Sequence, residues 1–305
     1  MSPPETEFIT LYHSSSDDSE STSLGTSLTP QRIGFVGFGT IASAIATGLA
    51  TQQSVPISYL AVSRRSEKRS SALQKSFPDL VSIHDDNQQV VDTADIIFLC
   101  VLPEQTSSVL QKLKFDAHRH TLVSLVSTST IEDLCRDAQL PPERVFKMIC
   151  LPAVARCNGI CLLLTPTQKD PPILTELCEA LGGCVQARDA QQMSALMVTT
   201  CLMGSFYGVL RNNREFLVRH GLDRDQASFL VGRLYDSMVQ DAVQVQKDPN
   251  GFDQLIAEQT PGGLNDQGLR NLEALGALDA YDQVQTAILS RILGESDGSL
   301  PFESR

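Results

Sequence analysis

The eight cysteines of this 305-residue chain include no CxxC pair, so the thiol pairs that mark zinc ribbons and thioredoxin-like centres are missing. Most sit in apolar runs such as "IIFLC" and "ICLLL", and read as buried thiols of a reducing compartment. Histidine is scarce, with five in all, and "HRH" at His118–His120 has no second cluster beside it. It reads as a solvated loop before a strand, and no metal is expected. No apolar run approaches the roughly 18 residues that span a bilayer. The basic start and apolar core of a secretory signal are also missing. The expectation is a cytoplasmic protein that engages no membrane. Basic residues are outnumbered, 24 Lys and Arg against 36 Asp and Glu, and the net charge of -12 argues against a nucleic-acid groove. A local basic cluster could still hold an anionic ligand. No internal repeat is visible.

What is present falls into three textures. Residues 1–30 are rich in Ser, Thr and Asp, as in "HSSSDDSESTSLGTS", and cannot bury enough apolar surface to order themselves; a disordered tail is expected. Residues 31–188 alternate short apolar runs with helical patterns: "RIGFVG", "ISYLAV", "ADIIFLCV", "TLVSLVS", "VFKMIC", "GICLLL" and a last short "CVQA". Continuous Val/Ile/Leu runs mark strands buried on both faces, hence a parallel sheet with crossover helices. Thr130 followed by Asp133 resembles a capping box, and "PPILTELCEALGG" opens on proline and closes on glycine as a helix should. Residues 189–305 carry no strand signal. "AQQMSALMVTTCLMGSFYGVLRNNREFLVRH" reads as one long helix ending at Gly221, apolar over much of its circumference and so expected to be buried against another subunit. Gly204 and Gly208 would let a second helix approach. Asp223 and Gln226 are spaced to cap the next helix. The fold class is α/β: an N-terminal Rossmann dinucleotide-binding domain followed by an all-helical domain.

The strongest local signal is "RIGFVGFGTIASAIATGLA". A strand ends at Gly37, and Gly37, Gly39 and Ala42 form GxGxxA at the start of a helix. The first glycine permits the tight turn, the second lets backbone approach a pyrophosphate, and the small third residue lets helix pack on strand. Phe38, Thr40 and Ile41 complete this cofactor-binding turn. At the end of the next strand, where an NAD site usually has an acid for the ribose hydroxyls, stand Ser63, Arg64 and Arg65. Arginine suits a 2′-phosphate, so NADPH is the expected cofactor. Val101, Leu102 and Pro103 end the fourth strand and are expected against the adenosine side. "CLPA" ends the sixth and should face the nicotinamide.

With these motifs in order, residues 32–290 resemble the pyrroline-5-carboxylate reductase family. The likeness rests on "IGFVGFGTIASAIATGL", "IIFLCVLPEQ", "LVSLVSTSTIEDL", "FKMICLPAVARCNGICLLL" and "TPGGLNDQGLRNLEALG". It implies a helical dimerisation domain, a homodimer or higher oligomer, a small cyclic imine as substrate, and its NAD(P)H-dependent reduction to proline or a proline-like amino acid. It also implies a substrate site at the Pro-Gly-Gly loop. The chain departs from the family there: two threonines usual after Pro-Gly-Gly are Leu264 and Asn265, and Thr260 stands for a common serine. Met-Pro-Asn-Thr-Pro after the sixth strand is replaced by "LPAVA", and the Ser-Gly-Ser-Gly-Pro stretch of the long helix corresponds to "CLMGS".

The chemistry needs little acid catalysis, because an iminium is already cationic and positioning supplies much of the rate. Gly262 and Gly263 are expected to hold a substrate carboxylate through backbone N–H groups, beside Leu264. Thr260 and Asn265 would add side-chain hydrogen bonds as the catalytic pair, and Asn265 is alternatively placed to cap the next helix. Two other readings remain: an NADPH-binding scaffold without turnover, and a hydroxy-acid dehydrogenase of similar build. The latter needs a Lys or His proton shuttle, yet the chain after Lys169 offers only Lys247 and His220, neither core-facing in pattern.

Overall fold

The computed structural model describes residues 29–165 and 172–300. The expected tail, residues 1–30, lies outside the described residues but for its last two. The first half of the chain runs β1 (Gln31–Val36), α1 (Thr40–Thr51), β2 (Ile57–Ser63), α2 (Glu67–Ser76), β3 (Val81–His84), α3 (Asn87–Thr93), β4 (Ile96–Leu99), α4 (Thr106–Leu110), β5 (Thr121–Ser124), α5 (Ile131–Ala138) and β6 (Val145–Cys150). β7 (Cys161–Leu164), α6 (Pro172–Ala180) and β8 (Cys184–Ala187) complete the sheet. Six helices follow among the described residues: α7 (Ala190–Thr200), α8 (Met203–Arg219), α9 (Arg224–Val245), α10 (Gly251–Ala257), α11 (Leu264–Ala274) and α12 (Ala277–Ile292).

Among the described residues the strands form one sheet in the order β3-β2-β1-β4-β5-β6-β7-β8. The first six are parallel in the doubly wound order 3-2-1-4-5-6, whose switch point lies between β1 and β4. β7 runs antiparallel to β6, and β8 parallel to β7. Both faces of the sheet are covered. Phe35, Phe98, Phe146 and Met148 face α1 and α6, while Ile97, Leu99, Leu122 and Val145 face α3 to α5. Phe35 and Phe98 stack at 5.1 Å between ring centroids, across neighbouring strands. At the amino edge, Arg32 donates two hydrogen bonds to Asp95, at 2.8 and 2.7 Å, tying the start of β1 to the start of β4.

The helix starts follow their sequence signals. Thr130 Oγ1 accepts the Asp133 N–H at 3.1 Å, and Asp223 Oδ2 accepts those of Asp225 and Gln226. β3 was not among the quoted strand runs; with only Val81 fully buried in four residues, its periodicity is weak. "HRH" needs correction too. His120 is buried, its Nδ1 accepting the Asp116 N–H at 2.9 Å and its ring edge-on to Phe115.

The single long helix is in fact two. Thr199 and Thr200 turn their hydroxyls back onto the carbonyls of Leu196 and Met197, each at 2.7 Å. The next amides shift to i−3 acceptors, Cys201 to Val198 and Leu202 to Thr199, and the ladder breaks there. Residues 190–219 together have the length and mean hydropathy, 1.5, of a membrane-crossing segment, more than the quoted runs suggest. Their apolar residues have different uses on the two sides of the break. Met193 and Met197 of α7 pack with Leu162, Leu164, Ala187 and Ile292, docking α7 and the end of α12 on the sheet. Met203, Phe206, Tyr207 and Phe216 of α8 are exposed, as are Phe229 and Leu234 of α9 and Leu278 of α12. The apolar face of α8, expected to be buried, is therefore left largely exposed by the described residues. Gly208 lines a groove of about 730 Å³ between α8, α9, α11 and α12, walled by Val209, Asn213, Tyr235, Leu278 and Tyr281.

Candidate active site

The turn from β1 to α1 is built for close approach. Gly37 has φ +85°, and a Cβ there would lie 2.5 Å from the Cys100 carbonyl oxygen. Its N–H donates to Ser63 Oγ at 3.0 Å, locking the ends of β1 and β2 together. Phe38 contributes backbone only, because its ring is buried edge-on to Phe35 at 6.0 Å. Gly39 occupies the N-cap of α1, no side chain caps it, and a Cβ there would meet nothing within 4 Å. The N–H groups of Thr40, Ile41 and Ala42 at the helix start have no intrahelical partner. This is a cradle that dinucleotide phosphates fit: open above Gly39, with helix amides pointing outward and no side chain competing. Ala42 is buried beneath it. Further along α1, a Cβ on Gly48 would lie 2.3 Å from the Val154 carbonyl oxygen, so glycine lets the turn Pro152–Arg156, after β6, pack on the cofactor helix.

Beyond β2 lies a rim of positive charge. Ser63 is buried and its hydroxyl is committed to Gly37 rather than to the rim. Arg64 pairs with Asp85 and lies 4.0 Å from Glu67. The Asp85 carboxylate raises its guanidinium pKa and offsets much of its field. Arg65 faces no such acid: Nη1 donates to Gln105 Oε1 at 2.7 Å, bridging to the turn Pro103–Gln105 that follows β4. Arg69, which the motif reading did not single out, donates from Nη2 to Thr40 Oγ1 at 3.2 Å, directly at the mouth of the cradle. No sequence signal marked it, because Arg65 lies in the short turn before α2 and Arg69 within α2, and only the fold brings both to the cradle. Val101 lies against the Gly37 turn, Leu102 is 55% exposed, and Pro103 opens the short helical turn that Arg65 reaches.

Lys147, in β6, also escaped the sequence reading. It is buried, with Nζ donating to the carbonyls of Ser127 and, at 3.1 Å, Ser129, so it pins the loop after β5. Burial lowers its pKa.

The second half of the site is the Pro-Gly-Gly loop between α10 and α11. Gly262 takes φ +75°, which closes the turn. Its N–H donates to Asp266 Oδ2 at 2.8 Å, and the Gly263 N–H to the Thr260 carbonyl at 2.8 Å. Both glycine amides expected to face a substrate carboxylate are therefore used inside the loop. Gly263 is the N-cap of α11, and Asn265 does not cap it; its amide donates to Gln259 Oε1 at 2.9 Å. Thr260, Gly263, Leu264 and Asn265 line, with Glu258 and Gln259, a cavity of about 400 Å³. That cavity includes no residue of the β1–α1 turn.

Known proteins share this fold. A family profile described as "NADP oxidoreductase coenzyme F420-dependent" matches residues 32–128. The pyrroline-5-carboxylate reductase of Methanosarcina acetivorans is 27% identical over 260 residues, covering 82% of this chain and 93% of that protein. Two crystal structures superpose well: the pyrroline-5-carboxylate reductase of Coxiella burnetii, with TM-score 0.73 at 18% identity over 88% of this chain and 99% of that one, and the Plasmodium falciparum pyrroline carboxylate reductase with NADP bound, with TM-score 0.72 at 19% identity over 89% and 100%. The chain resembles pyrroline-5-carboxylate reductases over most of its length and shares their fold.

The match runs through the helical half as well as the Rossmann half, since it covers nearly the full length of those relatives.

Proposed function

We propose that this protein is an NADPH-dependent reductase of cyclic imines, an oxidoreductase acting on C–N bonds. The observation that carries the reading is the uncapped helix start at Gly39 beside the Arg65–Arg69 rim, in a chain that also keeps the Pro-Gly-Gly loop. Its relatives are named for pyrroline-5-carboxylate, and one of them for the NADP it holds. Gly37, Gly39 and the first amides of α1 would take the pyrophosphate. Arg65 and Arg69 would take the 2′-phosphate, and Val101, Leu102 and Pro103 the adenosine side. When bound, NADPH supplies the hydride.

The chain's own groups do the rest by placement. Thr260 and Asn265 line the loop cavity, and Leu264 sets an apolar side chain at its edge. Among the described residues of the helical half no Lys or His is placed as a proton shuttle for a C–OH group: His220 bonds its own helix at the Phe216 carbonyl, and Lys247 sits in an exposed turn. That favours an imine over a hydroxy acid. Residues 31–188 would form the cofactor domain and 189–305 the assembly domain. A second copy on the exposed faces of α8 to α12 would bring a loop to a cofactor cradle, in a cytoplasmic homodimer.

The test is a panel of cyclic imines added to protein and NADPH, with loss of nicotinamide absorbance as readout. Oxidation with an imine and none with 2-oxo acids or hydroxy acids is expected. Tight NADPH binding without oxidation by any ring would instead leave a cofactor-binding scaffold.

A further inference from the structure

The Pro-Gly-Gly loop carries an anion of its own. Asp266, in the first turn of α11, folds back so that Oδ2 accepts the Gly262 N–H at 2.8 Å and lies 3.1 Å from Arg270 Nη2, one turn further on. The Gly263 N–H is held by the Thr260 carbonyl, and the Asn265 amide by Gln259. Both glycine N–H groups and one of the two Asn265 amide hydrogens are thus used within the loop. A negative side chain in the first turn also compensates the positive end of the helix dipole, which would otherwise attract a substrate anion. The cavity wall includes one acid, Glu258, and no basic side chain. Leu264, 86% exposed, places an apolar side chain at its edge.

An imine carboxylate that takes the Gly262 N–H must displace Asp266 from it, and Asp266 is also tied to Arg270. An imine ring without the carboxylate needs no such displacement, and its protonated nitrogen is favoured by Glu258 in the cavity wall. We propose that Asp266 sets the substrate class of this site, so that cyclic imines lacking a ring carboxylate are reduced in preference to imine carboxylates. The proposal rests on the imine-reductase reading above. The balance is the same for either ring: one solvent proton protonates the imine nitrogen, the ring carbon gains one hydride from NADPH, and the amine and NADP+ are formed.

The experiment compares 1-pyrroline with 1-pyrroline-5-carboxylate in wild-type protein and in Asp266→Asn. The asparagine keeps an oxygen that can accept from Gly262, removes the charge and releases Arg270 from its ion pair. In the wild type, kcat/KM for 1-pyrroline should exceed that for the carboxylate by about tenfold or more, and Asp266→Asn should shift the ratio toward the carboxylate by about tenfold. Calorimetry of pyrrolidine and proline on the NADP+-loaded protein gives a readout without turnover, and pyrrolidine should bind more tightly. A wild-type kcat/KM for the carboxylate equal to or above that for 1-pyrroline overturns the proposal and leaves imine reduction standing. A ratio unmoved by Asp266→Asn removes the role assigned to Asp266. No NADPH oxidation with either ring, despite normal cofactor binding, overturns both the proposal and the reading beneath it.

Discussion

At the scale of single residues, the cofactor turn is where sequence and structure agree most closely. Gly37 was legible because only glycine tolerates both φ +85° and a carbonyl oxygen at 2.5 Å from a Cβ. Gly37→Ala should therefore abolish NADPH binding and lower the melting temperature, checked by fluorescence titration and thermal unfolding. Arg65 was legible from its position at a strand end, but Arg69 was not, because its contact with Thr40 arises only once α2 folds back over α1. Arg65→Ala and Arg69→Ala should each raise the Kd for NADPH about tenfold, with a smaller effect on NADH. Equal losses for both cofactors would remove the 2′-phosphate role. Ser63 adds what the sequence does not show: its Oγ accepts the Gly37 N–H and ties the ends of β1 and β2 together. Asp266 was invisible as a determinant because a carboxylate four residues after a glycine says nothing of where it turns.

Elements were legible wherever a local signal coincided with burial. Thr130 and Asp133 announced α5, and the cap formed as read; Thr130→Ala should cost about 1 kcal/mol in urea unfolding. A loss well below that would show the Thr130 bond to be replaced by water. The α7–α8 break was hidden because Thr199, Thr200 and Cys201 are compatible with a helix interior, and only the back-bonding hydroxyls show the change of ladder. His120 illustrates a tertiary override. Burial, with Arg119 beside it, lowers the imidazole pKa, so the folded protein prefers the neutral ring. Stability from this residue is present above its ordinary pKa of about 6.5 and is lost as pH falls below it. The melting temperature should drop between about pH 7.5 and pH 5.5, and His120→Gln should flatten part of that slope.

For the whole molecule, the two halves are held to different standards. The Rossmann half has two complete cores, and its topology follows from parallel strands that must be covered on both faces. The helical half joins that structure through α7 and α12, while α8 to α11 bury few of their apolar side chains. Sequence patterning flagged those apolar faces but could not say what covers them. Substituting Tyr281→Asp, in the groove beside Gly208, should convert a dimer to monomer in light scattering, with loss of activity but retention of NADPH binding. A wild-type monomer in that measurement would remove the assembly proposal. The exposed faces also have a kinetic consequence. If cradle and loop meet only between copies, rate per milligram is not a constant of the protein. It should fall on dilution once the concentration drops below the dissociation constant of the pair, and recover on reconcentration, so that the cell sets the output of this reaction by abundance more steeply than in proportion.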